Sequence, residues 1–259
     1  PLHGRQHPVG PRLHRQMHDT VDELVEVIEG TVDRRKGNII IPAFALGRTQ
    51  EVIWLLADLC RQGRLPRLTV YVDSPMATKA TEITWRHKEL LDDETRAYLL
   101  PHDTLRQWID LHFTPTVEES VALNQIRSGA VIISASGMCD AGRIKHHLSH
   151  NLGRPECAIV IIGFQAAGTL GRKLVDGIKR VRIFGEEHVV RAQIHTIGGL
   201  SAHADQAALL GWLQGFTRAP RRTFVVHGEA QTARGFAELI ATTRGWKVEA
   251  PVPGTQVDI

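Results

Sequence analysis

The stretch Ala130-Val-Ile-Ile-Ser-Ala-Ser-Gly-Met-Cys-Asp-Ala-Gly142 contains a whole structural unit in short form. Residues 130–134 are apolar up to their terminal serine and rich in β-branched side chains, the pattern of a strand buried on both faces. Small residues then open a loop, and a helix reads from Arg143 to Leu152. The succession recurs along the chain. Asn38-Ile-Ile-Ile-Pro42 opens into Ala-Phe-Ala-Leu-Gly-Arg48, and a helix over Thr49–Gln62 would bury Val52, Leu55, Leu56 and Leu59. Leu68–Val72 runs into Asp73-Ser-Pro-Met-Ala77 and helical text at 78–92 and 93–100. Cys157–Ile162 opens into Gly163–Gly171 before a helix from Arg172. Continuous apolar strands alternating with amphipathic helices imply an α/β fold with a parallel sheet covered on both faces. Right-handed crossovers then bring all four loops to one edge, where open α/β sheets bind ligands.

The flanking text fits this frame. An amphipathic helix is expected over Asp19–Arg35, with Val21, Leu24, Val25, Ile28 and Val32 at helical spacing and Gly37-Asn38 as its stop. Trp108–Phe113 reads as a strand, and Thr116 caps a helix over Val117–Ser128. Residues 1–18 show no apolar period and read as an irregular leading segment. After about Lys179 the texture changes. Strands are expected at Val181–Phe184, Val189–His195 and Arg221–Val226, with Glu186-Glu187 as the turn between the first two. Helices at Ala202–Gln214 (N-capped by Ser201) and Gln231–Thr243 alternate with them, and Lys247–Val248 with Gln256–Ile259 completes that sheet. This final part is too short for a rich domain and reads as half of one.

Composition excludes several classes. The chain has 259 residues, 42% hydrophobic and 23% charged, which is ordinary for a globular protein. A formal charge of +3 and a pI near 9.0 suit a polyanionic partner. Cys60, Cys139 and Cys157 form no CxxC pair, so reduced thiols and a cytoplasmic location are expected. No apolar run approaches the ~20 residues of a membrane span, and no membrane partner is expected. GxGxxG, GxxxxGK and GxSxG are all absent from the sequence, which argues against nucleotide cofactors and a serine-nucleophile elbow.

Candidate chemistry collects at the rim. Ser134, Ser136 and Gly137 stand at a strand end ahead of a helix, where backbone N–H groups and hydroxyls can cradle a phosphate. Arg48 and Arg143 follow glycines at the same rim, and a guanidinium fork suits phosphate oxygens. Further on, Gly198-Gly-Leu-Ser-Ala-His-Ala-Asp205 and Phe224-Val-Val-His-Gly-Glu229 place His203 and His227 at junctions of extended chain and helix. A neutral imidazole is a preferred zinc ligand, yet zinc usually takes four. One or two histidines cannot hold it alone.

These residues carry a family likeness. IPAFALGRTQE (41–51), VDSPMA (72–77), ISASGMCDAGRI (133–144), GFQAAGTLGR (163–172), LSAHAD (200–205) and VVHGE (225–229) resemble, in order, the β-CASP branch of the metallo-β-lactamase superfamily, RNA-cleaving enzymes. The resemblance implies a parallel-sheet β-CASP domain at 12–180, after an irregular segment at 1–11. Residues 181–259 would be the C-terminal part of a metallo-β-lactamase αββα sandwich. It implies that His203 helps to bind the scissile phosphate and that His227 ligates zinc, with two Zn2+ per complete family site. The family's His-x-His-x-Asp-His motif is absent from the sequence. The run Gly10-Pro-Arg-Leu-His-Arg15 aligns with the family's Tyr-Gly-x-Arg-x-His, and Gln6 stands near the place of its acidic residue. The expectation is a truncated gene or an excised fragment. It would be the RNA-binding and partly catalytic piece of a zinc-dependent ribonuclease, inactive alone, with single-stranded RNA in a groove between its two parts. The alternative is a non-catalytic RNA-binding or protein-docking remnant. A small-molecule hydrolase of the superfamily fits less well. Apolar surface left bare by truncation should favour self-association.

Overall fold

Along the strand Ile39–Pro42, alternate isoleucines are committed to opposite cores. Ile39 and Ile41 join one apolar cluster and Ile40 the other, and all three are fully buried. That two-sided burial is the signature of a parallel sheet sandwiched by helices. A computed structural model describes residues 17–91, 93, 96, 102–200 and 204–257. They divide into a larger unit, 17–200, and a smaller one, 204–257.

In the larger unit a helix α1 (Met17–Glu29) passes through a π-turn (Gly30–Arg34) into β1 (Ile39–Pro42). Then follow α2 (Arg48–Arg61), β2 (Leu68–Asp73), α3 (Pro75–Arg86), α4 (His102–Trp108), β3 (Ile109–Phe113), α5 (Val117–Leu123), β4 (Ala130–Ser134), α6 (Ile144–Asn151), β5 (Ala158–Ile161) and α7 (Leu170–Val175). A hairpin of β6 (Arg180–Ile183) and β7 (Glu186–Val189) leads to β8 (Gln193–Thr196). The main sheet has the order β3-β2-β4-β1-β5-β8, and each pairing in it is parallel. All carboxyl ends therefore share one edge. Helices α1 and α2 cover one face through Leu24, Ile28, Ile53 and Leu56; α6 and α7 cover the other through Ile144, Leu148, Leu170 and Leu174.

The expected parallel α/β architecture is what the residues adopt, and details of the last third differ. The β6–β7 turn is Phe184-Gly185, both at positive φ (53° and 85°), while Glu186 and Glu187 already belong to β7. Two residues at positive φ match the twist of a tight hairpin, and a glycine is the cheap way to supply one of them. The strand expected over Val189–His195 is broken. β7 stops at Val189, and β8 pairs with β5 in the parallel sheet instead.

In the smaller unit, α8 (Gln206–Leu213), β9 (Thr223–Phe224), α9 (Ala230–Arg244) and β10 (Val248–Glu249) are arranged with β9 and β10 parallel. Helix α8 begins at Gln206 rather than Ala202, because Asp205 is its cap and accepts from Ala208 N at 2.8 Å. The final strand expected at 256–259 is not formed at 256–257, and residues 258–259 lie outside the described residues. Among the described residues no helix is long and apolar enough to cross a membrane.

Candidate functional site

Parallel register aligns three strand ends at one level: Ser134 of β4 lies opposite Pro42 of β1 on one side and Asp73 of β2 on the other. β1 leads to α2 on one face of the sheet, whereas β4 leads to α6 on the other. Adjacent strands whose connections depart to opposite faces leave a crevice between their carboxyl ends, the usual ligand position of open α/β sheets.

Asp73 organises this edge. Its side chain is fully buried, yet it is heavily bonded. Oδ1 accepts from Thr114 Oγ1 at 2.7 Å and from Arg143 Nη1 at 2.8 Å; Oδ2 accepts from Ser120 Oγ at 2.6 Å and faces His147 Nε2 at 2.6 Å. Burial alone pushes the carboxyl up. The bonds from His147, Ser120 and Thr114, with the charge of His147, outweigh that and hold it at about 2. His147 is fully buried too, and its Nδ1 has no hydrogen-bond partner among the described residues. With Asp73 ionised, Nε2 carries the proton donated to it.

Arg143 connects this buried cluster to solvent. Its side chain is 20% exposed, and it also donates through Nη1 to Thr114 O (2.6 Å) and through Nη2 to Pro115 O (3.1 Å). A guanidinium has five N–H donors, so three bonds leave two for a ligand. The guanidinium lines an open cleft of ≈ 400 Å³ with Ser74, Met76, Ser136 and Gly142.

The loop after β4 is built by backbone contacts. Ser136 N donates to Ala141 O, Cys139 N to Ser136 O and Ile144 N to Ala135 O. Gly142 has φ 82°, and a Cβ there would meet Ala135 O at 2.5 Å, so only glycine closes the loop. Gly137 is buried against Phe44 of the loop after β1, with ring and backbone atoms 3.0–3.2 Å from where a Cβ would stand. Ser136 Oγ accepts from Ala141 N at 3.4 Å, which leaves its own proton to donate.

The expected site residues are thus distributed as follows. Arg143 and Ser136 meet at the cleft, with Gly137 beneath the same loop. Ser134 is buried and donates to Asp73 O at 2.8 Å, so its hydroxyl ties β4 to β2. Arg48 starts α2 and is paired with Glu51 at 2.6 Å; burial raises the Glu51 carboxyl, against the lowering effect of Arg48. His227 is exposed in the smaller unit at φ 64°, three residues past β9. His203 and the N-terminal run with Gln6 lie outside the described residues.

Sequence reading passed over Asp73 and His147. An acid closing an otherwise apolar strand was one signal. The other was the run Ile144, His147, Leu148, Asn151, which places that histidine on the buried face of its helix. Among the described residues no group of three or more His, Cys, Asp or Glu could hold a metal ion. The donor set among the described residues does not fit zinc.

Comparison with known proteins identifies the family. The Beta-Casp domain model matches residues 49–174, and the model of the Zn-dependent metallo-hydrolase RNA specificity domain matches 187–251. The chain is 38% identical over 239 residues to Ribonuclease TTHA0252 of Thermus thermophilus, covering 92% of this chain and 54% of that protein. It is 32% identical over 235 residues to Transcription termination factor FttA of Pyrococcus horikoshii, covering 88% and 36%. It is 28% identical over 256 residues to the RNase J-like protein of Methanocaldococcus jannaschii, covering 97% and 55%. The chain therefore spans between about a third and about half of these relatives. With both family models matched in order and these relatives aligned along most of it, the chain belongs to the β-CASP branch of the metallo-β-lactamase superfamily.

Proposed function

We propose that this chain is the RNA-gripping part of a β-CASP ribonuclease, binding single-stranded RNA by its phosphates at the cleft beside β4. The observation that carries the reading is the Asp73–Arg143 pair. A buried carboxylate fixes one end of a guanidinium fork, and Arg143 and Ser136 both line the open cleft. Phosphate oxygens suit that donor set. Ser134 serves by locking the strand ends, Gly137 by letting the two loops approach, and Arg48, paired with Glu51, stands at the start of α2. Exposed Phe44 and Met76 near the cleft offer apolar contact to bases.

Hydrolysis of the phosphodiester is the zinc-dependent chemistry of the complete family site, in which bound metal supplies an activated water. In this chain His227 is offered as one zinc ligand and His203 as a contact to the scissile phosphate. The described residues gather no further donors around a metal. That favours a second reading, a non-catalytic module that holds RNA without cutting it, over an enzyme complete in itself.

Fluorescence anisotropy with a labelled single-stranded oligoribonucleotide tests the binding. The logarithm of the association constant should fall linearly with the logarithm of salt, with a slope of about −0.7 per phosphate contacted. Affinity that is flat in salt defeats the proposal. Cleavage assays on the same samples, with and without added zinc, separate the nuclease from the binding module.

A further inference from the structure

The β6–β7 hairpin turns through Phe184 and Gly185, at φ 53° and 85°. Tight hairpin turns of this hand favour Asn, Asp or Gly at the first position, because a left-handed backbone crowds a large side chain. Phe184 is also 55% exposed. The ring does not suit its turn and fills no core; it rests against the first turn of α6 with more than half of its surface open.

Its surroundings suggest a use. The His146 ring lies against it, centroids 4.5 Å apart and tilted by 32°, and Lys145 Nζ stands 4.8 Å from its centroid. Burial first, then the neighbouring His147 and His150, lower the His146 pKa. Lys145 and His146 belong to the first turn of α6, and His146 N donates to Arg143 O at 3.0 Å. At 1.5 Å of rise per residue, they lie roughly 3–5 Å along the helix axis from Arg143. An aromatic face beside a cation is the arrangement that binds single strands, the ring taking a base and the ammonium a phosphate.

We infer that Phe184 is a nucleobase-stacking platform for single-stranded RNA, with Lys145 holding the adjoining phosphate. This rests on the RNA-binding reading above and adds a second contact, on the first turn of the helix that Arg143 caps.

The test uses the full chain, a labelled oligoadenylate, and the same strand with abasic positions. Phe184→Asn, which suits the turn, should leave Tm unchanged or raised while weakening oligoadenylate binding by about fivefold to a hundredfold. Phe184→Trp should retain affinity. On the abasic strand, wild type and Phe184→Asn should bind alike. If wild type binds with salt dependence and Phe184→Asn binds equally well, the platform is wrong and the cleft reading stands. If wild type binds no RNA, both fall. A variant whose elution volume in size-exclusion chromatography shifts while its RNA affinity holds assigns the ring to a protein contact and overturns the inference.

Discussion

His147 Nε2 stands 2.6 Å from Asp73 Oδ2 with both side chains fully buried, which bonds the helix after β4 to the end of its neighbour β2. Hydrogen bonds from Thr114, Ser120 and Arg143 saturate the same carboxylate. A charge so placed holds the strand ends and the cleft arginine in a single arrangement, and its removal exposes that dependence.

The carboxyl is held at about 2 in the folded chain, against about 3.9 for a free aspartate. The folded state thus binds fewer protons than the unfolded one between these values. The resulting stabilisation, about 2–3 kcal/mol, is fully present above pH ~5 and is lost as pH falls through about 2. Urea titrations at steps from pH 5 to pH 2 should show this dependence in the wild type and a shallower one in Asp73→Asn. Equal slopes in the two proteins would refute it. Asp73→Ala should cost more, about 3–5 kcal/mol, because it leaves a half-buried guanidinium without its anion.

Arg143 should matter to RNA in a way that lysine cannot replace. Arg143→Ala removes one phosphate contact, so the salt slope should shrink by about 0.7 and affinity fall at low salt. Arg143→Lys retains the charge but not the fork that reaches Asp73, Thr114 O and Pro115 O together. Its slope should match the wild type while affinity drops severalfold. Binding isotherms at four salt concentrations distinguish the two, and an unchanged Arg143→Lys affinity would mean that charge alone is used.

Gly142→Ala should disable the cleft loop. The added Cβ meets backbone oxygen, not a movable side-chain tip, and the backbone is left-handed there. A cost of about 1–3 kcal/mol in chemical denaturation is expected, with weaker RNA binding. Gly153→Ala is the control, since nothing lies within 4 Å of its added carbon. If both substitutions cost the same, the loop is not the tight element described.

Much of this was legible in the residues. Strand Ala130–Ser134 is found with the bounds read from its apolar run, and the Thr116 cap is in place, with its side chain accepting from Glu119 N. Continuous apolar runs report burial directly, so the parallel sheet follows from them. What was less legible depends on partners distant in sequence. Ser134 could be a ligand donor or a strand tie, and only the nearness of Asp73 O, 61 residues away, assigns it to the tie. The helix expected from a Ser201 cap starts later, at Gln206, because an aspartate read only as first-turn charge is its cap. Asp205 accepts from Ala208 N at the start of that helix, and Asp205→Ala should lower stability by about 1 kcal/mol, read as a drop in Tm.

Zinc provides the last test. A protein zinc site usually needs four ligands, three of them from the protein even when it is catalytic. His227 stands exposed at φ 64°, and no group of three donors gathers among the described residues. One imidazole in water holds the ion weakly. The chain, loaded with zinc and dialysed, should therefore retain well under one equivalent by atomic emission, and His227→Ala should change that content little. Salt-dependent RNA binding should be the same before and after chelation, because Arg143 and Ser136 need no metal to be held in place. A full equivalent of zinc that disappears in His227→Ala would reverse the conclusion. The remaining donors would then have to come from residues outside those described or from a second chain, and sedimentation with and without zinc would tell these apart.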